Sequence, residues 1–205
     1  MKKIAFIGCG GINSWAIKHL HDILEMFFND QMIFIKIFDN DIIEEKNILR
    51  MTQNFEVENL MDYKAETLGK KYNYDYENII ITEENIDILK EFDDIILGVD
   101  NHKTRRLFYK FCLENDKYLL DLRAQGTQTA YHILDKSKDM EYYDEKFFSN
   151  KEIMERKGSC QYTHDIENDH IENGNKIIAY IGIYAIYLKE LRNEKPIKFD
   201  YEDVY

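Results

Sequence analysis

Apolar residues fall in short blocks separated by polar stretches, and their spacing changes from block to block. Lys3 to Ile7 and Ile33 to Phe38 are near-continuous apolar runs with a β-branched and aromatic bias, the pattern of strands buried in a parallel sheet. Between them Ala16, Ile17, Leu20, Ile23, Leu24, Phe27 and Phe28 recur at helical spacing, and Gly8, Gly10 and Gly11 interrupt the chain just after the first run. Strand, glycine turn, amphipathic helix and strand make a βαβ unit of the dinucleotide-binding type. The alternation then predicts a helix over Leu60 to Tyr72, a strand at Asn78 to Thr82, a short helix around Ile86 to Glu91 and a strand at Ile95 to Val99. A helix from Thr104 to Glu114 and a strand at Tyr118 to Leu122 follow, and Thr127 to Leu134 alternates in a way that predicts antiparallel pairing at one side. The fold class expected is α/β: a Rossmann-like, mostly parallel sheet with flanking helices, antiparallel strands at one side and a long crossover loop.

From Asp135 to about Asn173 the periodicity fails and charged residues dominate, so this stretch is read as the crossover loop. Ile177 to Leu188 is apolar on nearly every side, which predicts a helix buried all round, with a dimer interface as one way to supply that burial. The acidic tail after Arg192 holds the only proline, Pro196.

At 205 residues the chain fits one domain with a sizeable core. A formal net charge of −12 argues against binding to phosphate backbones, because that affinity needs clustered Lys and Arg. Nucleic acid is therefore not an expected partner. Cys9, Cys112 and Cys160 are too few and too scattered for a disulfide framework, and no CxxC pair offers zinc-finger spacing. A reduced, cytoplasmic protein is expected. The longest apolar run, Ile177 to Leu188, is 12 residues, against roughly 20 for a membrane span, so no membrane crossing is expected.

Candidate chemistry starts at the glycines. Gly8 permits a tight strand-to-helix turn, Gly10 lets the backbone approach a phosphate, and the amides opening the next helix add partial positive charge. The third glycine of the usual fingerprint is replaced by Asn13, which is expected to pack less closely. Asp39 ends the second strand, where a carboxylate can accept from two ribose hydroxyls. Asp41 is either part of the same site, a solvated loop acid or a helix cap. Asn47 and Arg50, three apart, share a face if that segment is a helical turn, and together could grip a triphosphate. Lys64 opens the following helix. Asp100 and Asn101 follow an apolar strand at its carboxyl end, where ligands collect and where a carboxylate can hold magnesium. Arg105 is read as bracing that loop through an ion pair.

Taken in order over about residues 4 to 135, Gly8-x-Gly10-Gly11-Ile12, Asp39-x-Asp41, Asn47-x-x-Arg50, Lys64-Ala65 and Asp100-Asn101 with Arg105 resemble the ThiF/MoeB/HesA adenylyltransferases, bacterial members of the ubiquitin-activating enzyme superfamily. The resemblance implies an enzyme that adenylates the carboxyl terminus of a small ubiquitin-like or sulfur-carrier protein with ATP and Mg2+. It implies a ThiF-like adenylation domain over residues 1–192, with 193–205 as a tail, and a homodimer. Carried over by position, Asp39 would hold the ribose, Asn47, Arg50 and Lys64 the phosphates and Asp100 the metal, with Gly8, Gly10, Gly11, Asp41 and Asn101 completing the nucleotide site. Cys160 lies where thioester- or persulfide-forming relatives carry their cysteine, with Arg156, Lys157 and His164 nearby to favour thiolate.

Departures from the family pattern are specific. Met51 stands where a glutamine usually follows the arginine, and a glutamine comes only at Gln53. Family members often place a helix before the first strand and use it to send an arginine into the neighbouring subunit's site, whereas this chain starts almost at the strand, so an arginine supplied in trans is not expected. The zinc-binding CxxC pairs of many relatives are missing, so no structural zinc is expected. Cys9 and Cys112 are read as packing residues, and His102, His132, His164 and His170 as solvated loop histidines. Two rivals stand beside this reading: an NAD(P)-dependent oxidoreductase, for which Asp41, Asn47, Arg50 and Lys64 would lack a purpose, and a non-catalytic ThiF-like scaffold that binds a partner without releasing pyrophosphate.

Overall fold

A computed structural model describes residues 1–27, 33–48, 52–125, 128–149, 170–187 and 189. Six strands form one sheet in the order β3-β2-β1-β4-β5-β6, from β1 (Lys2–Ile7), β2 (Ile33–Phe38), β3 (Asp75–Glu77), β4 (Asp94–Leu97), β5 (Tyr118–Gln125) and β6 (Gln128–Ile133). The first five run parallel, and β6 pairs antiparallel with β5 from Leu120 opposite Ile133 to Gln125 opposite Gln128. The sheet is Rossmann-like, as the apolar runs predict.

Alternation within each strand sends side chains to two separate cores. Ile4 and Phe6 of β1, Ile35 and Ile37 of β2, and Leu120 and Leu122 of β5 pack with α1 (Gly11–Phe27), α3 (Lys64–Tyr72) and α6 (His170–Ile186) on one face. Ala5, Ile7, Phe38, Ile95, Leu97 and Leu119 meet α4 (His102–Glu114), α5 (Met140–Tyr143) and the short 3-10 helix Ile86–Glu91 on the other. The remaining helix, α2 (Glu45–Ile48), is a single turn beside the cleft described below.

Four sequence expectations need correction. The third strand lies at Asp75–Glu77, before the predicted Asn78 to Thr82, because only those residues reach register with Lys36 to Phe38 of β2. The apolar residues that follow, Ile79 to Ile81, continue past the sheet edge as a wall of the cleft. The helix predicted from Leu60 starts instead at Lys64: Met61 adopts a left-handed φ of 72°, and Ile42 pairs with Tyr63 in an antiparallel bridge. The expected crossover loop contains α5 and the π-type turn Asp144–Phe148, and α6 begins at His170. Asp139 caps α5 by accepting from the Tyr142 amide at 3.0 Å, and Arg106 of α4 grips Asp144 through two bonds of 2.6 Å. Finally, α6 is not buried all round: Ile178, Ile183 and Ile186 face the core, whereas Ile177, Tyr180, Ile181 and Tyr184 are exposed among the described residues. No helix among the described residues is long and apolar enough to cross a membrane.

Candidate functional site

The chain leaves β1 through Gly8, whose φ of +80° is a left-handed conformation that a side chain would strain, and α1 starts at Gly11. A Cβ on Gly10 would meet nothing within 4 Å, so the space above the turn is open toward a ligand. Asn13 corrects the expectation of loose packing. It is fully buried, and its Nδ2 donates to the carbonyls of Ile7 at 3.0 Å and Gly8 at 2.8 Å, tying α1 to the end of β1. The close approach moves to Gly98, where a Cβ would lie 2.5 Å from the Asn13 side chain.

Asp39 ends β2 beside this turn. Its carboxylate accepts from the backbone N–H of Cys9 and from that of Asp41 at 2.7 Å. Burial pushes the Asp39 carboxyl above the ordinary range, although the two amide donors and Lys64 pull the other way. Lys64 is only 6% exposed, and its Nζ donates to Asp41 at 3.0 Å, so Asp41 is paired rather than merely solvated. The pairing follows from local backbone: Lys64 N–H donates to the Asp41 carbonyl, and Ile43 exchanges hydrogen bonds with Met61 and Asp62. Asn47 in α2 is buried and turns its Oδ1 back onto the Glu44 amide at 2.9 Å. Arg50 lies outside the described residues, so its expected alignment with Asn47 is not described.

At the carboxyl end of β4, Asp100 faces the same space, and Asn101 caps α4 by accepting from the Thr104 amide at 3.1 Å. Arg105 braces the loop as expected. It pairs with the fully buried Asp121, and it donates to the carbonyls of Val99 and of Leu122, the latter at 3.2 Å.

Gly8, Gly10, Gly11, Asp39, Asp41, Asn47, Lys64, Asp100 and Asn101 thus line one cleft of about 580 Å³. The cleft also takes in Gln53 and Asn175, which the sequence reading did not assign. Gln53 is 7% exposed, and its Oε1 has no hydrogen-bond partner among the described residues. The signal for Asn175 was a polar residue in the run-up to an otherwise apolar helix. Cys160 lies outside the described residues. Cys9 and Cys112 are buried, and burial pushes the Cys112 thiol up to about 12, consistent with packing. Three histidines are not the loop residues expected, since His170 is the first residue of α6, and His164 lies outside the described residues. His132 sits on β6 with its Nδ1 3.0 Å from Tyr109 Oη, and His102 opens α4, where burial and the two nearby arginines lower its pKa to about 4.

Comparison with solved structures supports the same architecture. The fold resembles crystal structures of E. coli MccB with succinimide (TM-score 0.67, 16% identity, 96% of this chain and 58% of that one) and with ATP (0.65, 18%, 96% and 57%). It also resembles PaaA (0.65, 14%, 100% and 62%). The chain therefore spans roughly three-fifths of the length of these structures. No curated protein sequence matches it. The profile of the ThiF family matches residues 1–182, nearly the whole of the ordered sheet and its helices, and the chain belongs to that family.

Proposed function

We propose that the chain is an ATP-dependent adenylyltransferase that activates the carboxyl terminus of a small protein or peptide, a ubiquitin-like or sulfur-carrier protein being the preferred class. The observation that carries this reading is the convergence of Asp39, Asp41, Asn47, Lys64 and Asp100 on one cleft over an open glycine turn. MccB has been solved with ATP, and also with AMPCPP and MccA together, which supports a nucleotide and a second substrate sharing such a cleft.

In this reading the ribose sits against Asp39 and the phosphates against the amides that open α1, with Lys64 and Arg50 as cations. Asp100, a hard oxygen donor at the strand end, fits a magnesium ion, which would add charge neutralisation at the phosphates. A terminal carboxylate with a pKa of about 3.5 is ionised at neutral pH and needs no general base. Its oxygen bonds to the α-phosphorus while the bond from that phosphorus to the bridging oxygen breaks, and pyrophosphate leaves with the electron pair. The chain's part is to hold both reactants in line and offset the developing charge.

Exchange of radiolabelled pyrophosphate into ATP, with glycine-ending candidate proteins, tests the proposal. Asp100→Ala and Arg50→Ala should each lower exchange by at least about 10²-fold while the circular dichroism of the fold is retained. Near-normal exchange in both variants would refute the assignment. The same assay separates the rivals, since a scaffold releases no pyrophosphate and an oxidoreductase prefers NADH to ATP. Subsequent attack by Cys160 on the acyl adenylate, expelling AMP, would leave a hydroxylamine-sensitive adduct that Cys160→Ser cannot form.

A further inference from the structure

The end of the cleft over the glycine turn is walled by segments far apart in the chain, and one side chain touches two of them. Asn175 of α6 is 5% exposed. Its Nδ2 would lie 2.2 Å from a Cβ on Gly11, and it donates to the Thr52 carbonyl at 3.2 Å. Thr52 in turn donates from Oγ1 to the carbonyls of Lys46 at 3.3 Å and Asn47 at 3.2 Å. Two residues on, the Asn54 amide donates to Ser14 Oγ at 3.0 Å, and its Nδ2 donates to Tyr72 Oη at 2.9 Å. Residues 52 to 54 therefore form a strap tied to α2, α1, α3 and α6, with Gln53 at its centre on the cleft wall. Burying a carboxamide in an apolar helix face is costly unless its hydrogen bonds are used, and here the bond made is to the strap.

We infer that Asn175 is a positioning residue for the phosphate end of the site, setting the gap between the glycine turn and the strap so that the α1 amides and Gln53 face one phosphate group. The inference rests on the nucleotide reading given above. Small displacements of groups that grip a ligand cost affinity out of proportion to their size, because the contacts must be met together. A carboxamide fits this task because it can hold a carbonyl while packing flat against a glycine.

The test is calorimetric titration of ATP and of adenosine into the full chain. Asn175→Ala should weaken ATP about tenfold, the scale of one lost buried hydrogen bond, and leave adenosine unchanged. Asn175→Asp keeps the shape, loses the donor and adds a negative charge, so it should weaken ATP further and again spare adenosine. Gly11→Ala should weaken ATP by pushing Asn175 aside, and Gly11→Ala with Asn175→Ala should lose no more than the worse single variant. Wild-type ATP binding with unaltered Asn175 variants, equal losses for ATP and adenosine, or additive losses in the double variant would each overturn the inference alone. Failure of the wild-type chain to bind ATP would overturn the nucleotide reading and this inference with it.

Discussion

Lys64 and Arg105 are both buried cations set against aspartates, but the exposure of their partners separates the work they do. The Asp41 carboxylate is 63% exposed, so losing Lys64 leaves a solvated acid and should cost under about 1 kcal/mol of stability. Asp121 is fully buried, and losing Arg105 leaves it with Arg123 at 2.6 Å and the Tyr109 hydroxyl at 3.0 Å, at a cost of about 2–3 kcal/mol for the lost charged hydrogen bond. Lys64→Ala should therefore lower adenylation by about 10²-fold or more with Tm nearly unchanged. Arg105→Ala should drop Tm by on the order of 10 °C, read by differential scanning calorimetry. Asp39 carries a cost of its own. Because burial raises its folded pKa, the native chain binds a proton where the unfolded chain has lost it, so this group's contribution to stability is greatest at low pH and falls as pH rises through the folded value. In the proposed reading the ribose hydroxyls donate to the ionised form. ATP affinity should thus weaken on acidification earlier than a free carboxylate would dictate, and Asp39→Asn should bind weakly with no such step.

At the scale of elements, the first helix is seated by a clamp that the fingerprint rule did not anticipate. Asn13 spans the carboxyl ends of β1 and β4, and the room it takes is vacated at Gly98. Gly98→Ala should cost about 1–3 kcal/mol through overpacking, seen as a lower denaturation midpoint, and pairing it with Asn13→Gly should recover part of that loss. Full stability in Gly98→Ala would show that the clamp is slack. The elements whose period was strongest, β1, α1, β2 and α4, were legible from the chain alone. The third strand was misplaced because its three residues, Asp75 to Glu77, carry less apolar signal than the isoleucines that follow them, and edge pairing rather than hydrophobicity decides which segment joins the sheet.

At the scale of the whole molecule, helices cover both faces of the sheet, and among the described residues a stripe of apolar side chains on α6 stays exposed. Tyr180 is 62% exposed and Ile177 is 53% exposed on the outer side of α6, beside Ile181 and Tyr184. We propose that this stripe is the homodimer interface, since contiguous exposed apolar side chains mark association surfaces. Tyr180→Glu with Ile177→Glu should shift sedimentation from dimer to monomer. A monomeric wild-type chain would refute the assignment. Below the sheet, Lys189 closes on buried Asp94 at 2.5 Å and lies over the Tyr118 ring at 3.7 Å, latching the end of α6 to the strand ends opposite the cleft.

The order of strands and helices, the glycine turn and the acids at strand ends were determined by the sequence by itself. They depend on short-range period and on residues whose roles follow from backbone position. What Asn13, Gln53 and Asn175 do was decided only by the tertiary structure. Asn13 and Asn175 are amides whose partners lie on other elements, up to 123 positions away for Asn175 and Thr52, and Gln53 is an amide on the cleft wall. A carboxamide has no periodic or compositional signature. Its function exists only where packing brings a carbonyl or an open cleft within reach, and that proximity is a property of the folded chain.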